Sequence, residues 1–178
     1  MGLFNVIKGA YPSLQQIDKT LPMNADATGI VRGSLMYEDA GEFKLATSSQ
    51  EGDADTPGAY IYVALMDQDD LVAGMAGSIG QGVGSGVPRL TGLAISMPME
   101  IETDQYTGQS FTVGEFVAVG DDGKFVAHAT GVTAIGQITK GITTRWANDA
   151  VAVAGWRTGN KVNVIRIRTM YIPSLVNA

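Results

Sequence analysis

Apolar and polar side chains alternate with a period of two residues through most of this chain from Gly29 onward. Residues 30–37 lead into an acidic turn, Glu38-Asp39-Ala40-Gly41, and residues 42–47 alternate again. Because successive side chains of a β-strand point to opposite faces of a sheet, this pattern predicts a β-hairpin. Short strands separated by Gly, Asp and Asn turns are typical of an all-β barrel or sandwich. Further strands are predicted at residues 59–66, 93–102, 134–139, 150–156 and 161–172.

Residues 114–129 predict a second hairpin, whose turn is Gly120-Asp121-Asp122-Gly123. In both hairpins a glycine, a charged residue and a phenylalanine follow one another at the end of the turn. The first hairpin has Gly41-Glu42-Phe43 and the second has Gly123-Lys124-Phe125. This similarity raises the hypothesis that one hairpin has been duplicated.

Two segments lack the alternation. Residues 1–27 contain two prolines and show only weak periodicity, so they are predicted to form an extended N-terminal arm, with a single domain over residues 28–178. Residues 74–88 are rich in glycine and predict a long loop. A dinucleotide-binding loop would be followed by a helix, but Pro88 and Gly92 prevent a helix from starting there. No glycine of this loop is followed by Lys and then Ser or Thr, so the P-loop pattern is absent as well.

The surface is expected to be unusually neutral. Only 17% of the residues are charged and 23 of the 178 are glycine, against about 25% and about 7% in typical domains. Because a monomer depends on charge to stay soluble, part of this surface is predicted to be buried in an assembly. The net charge of −6 argues against nucleic acid as a partner.

The sequence also argues against a membrane partner. No apolar run reaches the roughly 18 residues that a membrane span needs. The first ten residues lack the basic start of a signal peptide. We therefore expect a chain that is soluble and cytoplasmic when it is synthesised.

No group of residues in the sequence predicts a catalytic or metal site. His128 is the only histidine and there is no cysteine, so a zinc site lacks ligands and a catalytic triad lacks its Gly-x-Ser-x-Gly turn. Glu100 and Glu102 are predicted to share one face of a strand, but nothing marks a sugar-binding groove beside them. Trp146 and Trp156 are interpreted as core or subunit-contact aromatics. We expect a protein that is not an enzyme and uses no cofactor, metal or small-molecule substrate.

One segment resembles the head decoration (cement) proteins of tailed bacteriophages: residues 112–141, TVGEFVAVGDDGKFVAHATGVTAIGQITKG. Those chains commonly show Gly-x-Phe-Val, an acidic turn, and a glycine that opens a strand ending in Ile-Gly-x-Ile. Residues 135–138 have that ending here, and residues 29–47 fit the same pattern less specifically. Together the two segments cover between a quarter and a third of the chain.

The resemblance implies a small β-barrel or β-tulip body, commonly trimeric, that binds outside the capsid at local threefold positions. There it would clamp neighbouring capsid subunits against the internal pressure of the DNA. The implied partners are the major capsid protein and further copies of this chain. The implied location is the exterior of the virion head, with the host cytoplasm as the site of assembly. The family has no catalytic motif, so no functional residue is carried over from it.

The N-terminal arm and the glycine-rich loop are hypothesised to be the contact elements, because neither has the periodicity of a core. Two other classes stay open. A phage tail-tube or tail-associated protein would share the all-β, weakly charged character but form hexameric rings or tubes. A β-sandwich hydrolase or a carbohydrate-binding module would need a pocket with perturbed carboxylates. The candidate contact residues are Leu3, Phe4, Tyr11, Leu14, Gly80, Gly82, Gly84, Gly86, Pro88 and Arg89.

Overall fold

Thirteen β-strands make up most of what the computed structural model describes. The described residues are 4–8, 18–22, 29–48, 60–65, 89–95, 98–146, 151–153, 156–158 and 161–172. The strands are β1 (Phe4–Lys8), β2 (Asp18–Pro22), β3 (Leu35–Asp39), β4 (Glu42–Leu45), β5 (Ile61–Ala64), β6 (Arg89–Ala94), β7 (Glu100–Thr103), β8 (Phe116–Val119), β9 (Phe125–Ala127), β10 (Ala134–Trp146), β11 (Val151–Val153), β12 (Trp156–Thr158) and β13 (Lys161–Ile172).

The strands form two main antiparallel sheets, so the predicted all-β class is confirmed. A six-stranded sheet has the order β1-β7-β13-β10-β8-β9, and a five-stranded sheet has the order β2-β6-β5-β3-β4. Strands β11 and β12 pair only with each other, as a small two-stranded sheet. Within the ranges given above, no helix is long and apolar enough to cross a membrane.

The main hydrophobic core contains side chains from both large sheets. The alternation places every second residue of a strand on the face that meets the other sheet. From the five-stranded sheet this face supplies Leu35, Ile61, Val63 and Leu93. From the six-stranded sheet it supplies Ile101, Val117, Val119, Phe125, Ile135, Ile138, Ile165 and Ile167.

A second cluster lies on the opposite face of the five-stranded sheet. It contains Ile30, Met36, Phe43, Tyr62, Ala64 and Leu90. Strands β2 and β3 are three places apart in the sheet order, yet the Lys19 Nζ lies 2.5 Å from Glu38 Oε2. This ion pair can form only if the sheet curls strongly, with the second cluster on its concave side.

Gly92 leaves room for side chains of the second cluster. A Cβ atom at this position would lie 2.9 Å from the Cβ of Tyr62 and 3.0 Å from the Cζ of Phe43. The rings of Phe43 and Tyr62 meet edge to face with their centroids 5.2 Å apart, a favourable aromatic geometry. The residue without a side chain therefore allows the two rings to pack over β6.

Both predicted hairpins are present. Strand β3 pairs with β4, and β8 pairs with β9. Their turns differ, because two residues join β3 to β4 whereas residues 120–124 join β8 to β9. Phe43 and Phe125, which the sequence comparison aligned, are both fully buried. The hypothesis of a duplicated hairpin therefore matches the two phenylalanines but not the two turns.

The turn of the second hairpin joins the two sheets through Gly123. The amide of Gly123 donates to the carbonyl of Ala46 at 2.9 Å, and its carbonyl accepts from the amide of Leu35 at 2.7 Å. In the same turn, the Asp121 carboxylate accepts hydrogen bonds from the amide and hydroxyl of Ser48. The end of the six-stranded sheet is thereby fastened to the start of β3 and the end of β4.

The prediction of a single strand over residues 93–102 is wrong. Strand β6 ends at Ala94 in the five-stranded sheet, and β7 begins at Glu100 in the six-stranded sheet. Pro98 lies between them and has no N–H to donate to a sheet ladder. Ile95 and Ile101 belong to the same buried cluster, so the apolar alternation continues while the chain crosses from one sheet to the other.

The first hairpin offers a test of its turn. Ala40 and Gly41 have φ values of 50° and 82°, which fits a type I′ turn, where Asn-Gly is preferred. We expect Ala40→Asn to raise the free energy of unfolding by about 0.5–1 kcal/mol, because asparagine tolerates the left-handed conformation better than alanine. Urea denaturation measures the change. The same exchange at exposed Ala127, which lies in a strand, should give no gain; an equal gain at both positions would contradict the turn assignment.

Candidate functional site

A connected set of ion pairs lies on the outer face of the six-stranded sheet. In β7, Ile101 and Thr103 are buried towards the core, so the side chains of Glu100 and Glu102 point to the opposite face. The prediction that these two carboxylates share one face of a strand is confirmed. In the register of the sheet, Arg166 of β13 lies opposite Glu102 and Arg168 lies opposite Glu100.

Glu102 is the centre of this cluster. Its side chain is only 4% exposed, and its carboxylate accepts hydrogen bonds from two arginines. The Nη2 and Nε atoms of Arg145, in β10, lie 2.9 Å and 3.2 Å from Oε1. The Nη2 atom of Arg166 lies 3.0 Å from the same oxygen. A buried carboxylate is thus held by charge-assisted hydrogen bonds from two different strands.

Glu100 extends the network along the same face. Its Oε1 atom accepts a hydrogen bond from the hydroxyl of Thr139 at 3.1 Å and lies 3.6 Å from Nη1 of Arg166. Arg166 therefore bridges the two carboxylates through its two terminal nitrogens. Its Nε atom is buried and has no hydrogen-bond partner among the described residues.

The protonation of Glu102 follows from these contacts. Burial alone would raise its pKa, but the hydrogen bonds and charges of Arg145 and Arg166 outweigh burial and lower the pKa below its usual range. A general acid of a glycosidase needs a raised pKa, so that it holds a proton near neutral pH. Glu102 is ionised there and is suited to holding two cationic side chains in place, not to donating a proton.

The two strands that carry these arginines form a long hairpin. Strands β10 and β13 pair along their whole length, from Ala134↔Ile172 to Trp146↔Lys161. Strand β7 pairs with β13 only over residues 165–168, and β8 pairs with β10 only at residues 136–137. We call residues 143–146 and 161–164, which lie past the end of β7, the distal ribbon. The small β11–β12 sheet lies between its two strands in the sequence.

The distal ribbon has its own cross-strand contacts. The ammonium of Lys161 lies 4.9 Å from the centre of the Trp146 ring, within the range of a cation–π interaction. Thr144 donates to the side-chain oxygen of Asn163 at 3.1 Å, and Val164 is fully buried. Trp146 therefore lies in the ribbon. Trp156 begins β12, and its side chain lies outside the described part of the structure.

The predicted contact residues are mostly outside the part of the chain that the structure describes. This holds for Leu3, Tyr11, Leu14, Gly80, Gly82, Gly84, Gly86 and Pro88. Phe4 begins β1, where its backbone lies opposite Thr103. Arg89 begins β6, opposite Pro22, and is half-buried. The structure places Phe4 and Arg89 in different sheets, Phe4 in the six-stranded sheet and Arg89 in the five-stranded sheet.

The two described segments of the N-terminal region are edge strands. Strand β1 pairs with β7 at one edge of the six-stranded sheet, and β2 pairs with β6 at one edge of the five-stranded sheet. An edge strand pairs on one side and can accept a strand from another chain on the other. Residues 4–8 and 18–22 are thus the outermost strands of their sheets.

His128 has a structural environment in this fold. It follows β9, and its Nε2 atom lies 2.9 Å from the carbonyl of Val132. Its ring meets that of Phe116 edge to face at 6.2 Å. In the described ranges, no three residues with metal-binding side chains lie close enough together to hold an ion.

Sequence reasoning did not find the arginines that surround Glu102. The sequence does contain a signal for this cluster. Residues 100 and 102 are acidic, residue 166 is basic, and all three are at positions that alternate with buried isoleucines. That signal identifies a pair only when the register between β7 and β13 is known, and Arg145 lies beyond the strand that was predicted to end at residue 139.

Comparison with known proteins adds no assignment: no family model matches this chain, and no curated protein is significantly similar to it in sequence.

Proposed function

We propose that this chain is a structural virion protein, a decoration (cement) protein that binds the outside of a tailed-phage capsid and clamps neighbouring capsid subunits. The observation that carries the proposal is the structure adopted by residues 112–141, the segment that resembles this family. They form one continuous unit of the six-stranded sheet, consisting of β8, the acidic turn, β9 and the first part of β10.

The packing of Gly136 supports the proposal. This glycine belongs to the Ile-Gly-x-Ile ending of the resemblance, and it lies where β10 is sandwiched between β8 and β13. A Cβ atom here would meet Ile167 Cγ2 and would lie 3.2 Å from Val117 Cγ2 and 3.1 Å from the carbonyl of Arg168. The motif therefore has a physical purpose in this fold, because only glycine allows the three strands to pack so closely.

The same proposal includes a finer architecture for the chain, a β-tulip body. The curled five-stranded sheet, with its own apolar cluster on the concave side, fits the barrel-like part of a β-tulip body. Strands β2 and β4, its two edges, come near each other. The low charge of the chain and its two N-terminal edge strands fit a protein that functions as a closed homotrimer, in which each copy presents one surface to the next.

The charge cluster disfavours the hydrolase alternative. Both carboxylates that could have served as a glycosidase pair are engaged by Arg166, and Arg145 adds a second cation to Glu102. Clamping a shell needs no reaction. Many copies of a modest interface add up through avidity to a large stabilisation of the particle.

The mass in solution is the first test. Light scattering at two concentrations is expected to give a concentration-independent species of about 56 kDa, three copies of the 18.7 kDa chain. The trimer should then co-sediment with heads of the source phage that were assembled without it. Removal of residues 1–20 should weaken that binding if the arm is a contact element. Rings of six copies would instead favour a tail-tube protein, and a monomer that ignores the heads would contradict the proposal.

A further inference from the structure

We propose that Glu102 is a clamp that fixes the distal ribbon to the six-stranded sheet, and that protonation of Glu102 releases the ribbon. The proposal is independent of any capsid partner. It rests on the way in which one buried carboxylate collects hydrogen bonds from both strands of the hairpin that carries the ribbon.

The geometry places the two arginines on different sides of the same boundary. Arg166 lies in the part of β13 that is paired with β7, directly opposite Glu102. Arg145 lies in the distal ribbon, where its register partner is Val162. The Arg145–Glu102 hydrogen bonds therefore tie the ribbon back to a strand with which the ribbon has no backbone pairing.

The two partners of this tie differ in exposure. The side chain of Glu102 is 4% exposed, whereas that of Arg145 is 40% exposed. When the contact between Arg145 and Glu102 breaks, the guanidinium of Arg145 becomes hydrated at little cost in free energy. The buried carboxylate of Glu102 then keeps Arg166 as its one arginine partner. A charge-assisted hydrogen bond at a buried acceptor is among the stronger individual contacts in a protein. The charge on the Glu102 carboxylate therefore determines whether the distal ribbon stays attached to the six-stranded sheet.

The charge state of Glu102 depends on the charged side chains that share its face of the sheet. The titratable and charged groups on this face are Glu100 of β7, Lys140 and Arg145 of β10, and Arg166 and Arg168 of β13. In β1, the backbone of Lys8 lies opposite Glu100 in the register. Cations outnumber carboxylates in this set. The set therefore favours the ionised form of Glu102, and a proton on Glu102 removes the acceptor charge that Arg145 and Arg166 share.

The sign of the pH effect follows from the lowered pKa of Glu102. A carboxylate with a lower pKa in the clamped state than in the open state stabilises the clamp at a pH above its open-state pKa. That stabilisation is lost as the pH falls through the clamped-state pKa. An ordinary glutamate titrates near about 4.3, so release is expected to begin below about pH 5.

Hydrogen exchange of the full-length protein tests the clamp. In Glu102→Gln we expect amide protection at residues 143–146 and 161–164 to fall about tenfold or more, with strands β3, β5 and β6 unchanged. The matched control is Glu38→Gln, which removes a carboxylate that pairs with Lys19 in the other sheet. It should leave the distal ribbon as protected as in the wild type.

A second variant distinguishes loss of the clamp from general unfolding of the Glu102→Gln protein. Arg145→Met removes the partly exposed end of the tie and should lower protection in the distal ribbon by a similar factor. Arg168→Met, an exposed arginine on the same face, should not. Unchanged ribbon protection in Arg145→Met would overturn the proposal, as would a loss in Glu102→Gln spread evenly over both sheets.

The pH dependence provides the third measurement. After correction for intrinsic exchange, ribbon protection in the wild type should be constant above about pH 5 and fall below it. In Glu102→Gln the same curve should be flat, because its clamp is already lost at every pH. Two curves of the same shape would show that another group controls the ribbon and would overturn the role of Glu102.

Discussion

Replacement of Gly123 with alanine is expected to lower the free energy of unfolding by about 3 kcal/mol. Two costs add. Gly123 has φ +67°, a left-handed conformation that disfavours any residue with a Cβ atom. The new Cβ would also lie 2.9 Å from the carbonyl oxygen of Leu35 and 2.8 Å from Leu45 Cγ. Leu45 can move aside, but the carbonyl of Leu35 is held in place by the hydrogen bond that it accepts from the amide of Ala46.

A matched control separates the two costs. Gly131 has φ +91°, and no heavy atom lies within 4 Å of the position that its Cβ would take. Gly131→Ala should therefore lose only the conformational part, about 1–2 kcal/mol. Urea denaturation with unchanged m-values gives both numbers. Equal losses in the two variants would show that the junction between the sheets does not depend on close approach at Gly123.

Gly136→Ala is expected to lower the free energy of unfolding by about 2 kcal/mol through overpacking alone. Gly136 lacks a positive φ, so backbone strain does not contribute. The added methyl group would press against Ile167 Cγ2, a fully buried side chain that is surrounded by the main core. The stability of purified variants under urea measures the loss.

A second substitution should relieve this crowding. Ile167→Leu moves the branch of the side chain away from the Cβ atom, which removes the methyl group that Gly136→Ala would meet. We expect the double variant to be about 1 kcal/mol more stable than the sum of the two single changes predicts. Ile61→Leu, in the other sheet, should combine additively with Gly136→Ala. Additivity in both pairs would mean that Ile167 is not the residue that limits space at Gly136.

The local patterns of the sequence were sufficient for the class of fold. Alternation and turn residues identified both hairpins, β5 and the long strand Lys161–Ile172, because these features depend on residues that are neighbours in the chain. The same patterns could not show that residues 93–102 divide between two sheets. Ile95 and Ile101 keep the alternation on both sides of Pro98, and the choice of partner strand depends on distant residues.

The charge cluster was out of reach for the same reason. Glu102 meets Arg145 and Arg166 across 43 and 64 residues of sequence. Which charges face each other depends on the register of three strands, and β10 contains shifts of register between residues 134 and 143. Side chains beyond such a shift change neighbours, so no spacing rule within one strand can locate the partner of Glu102.

The place of β7 in the sheet has a consequence for the order of folding. This four-residue strand lies between β1 and β13, the first and the last of the described strands. The hairpins β3–β4 and β8–β9 close short loops and can form early, whereas both ladders of β7 wait for segments that are far away in sequence. On the ribosome, Glu102 therefore has neither of its arginines until residues 145 and 166 have emerged. A nascent chain completes its charged face last, when the rest of the core already exists.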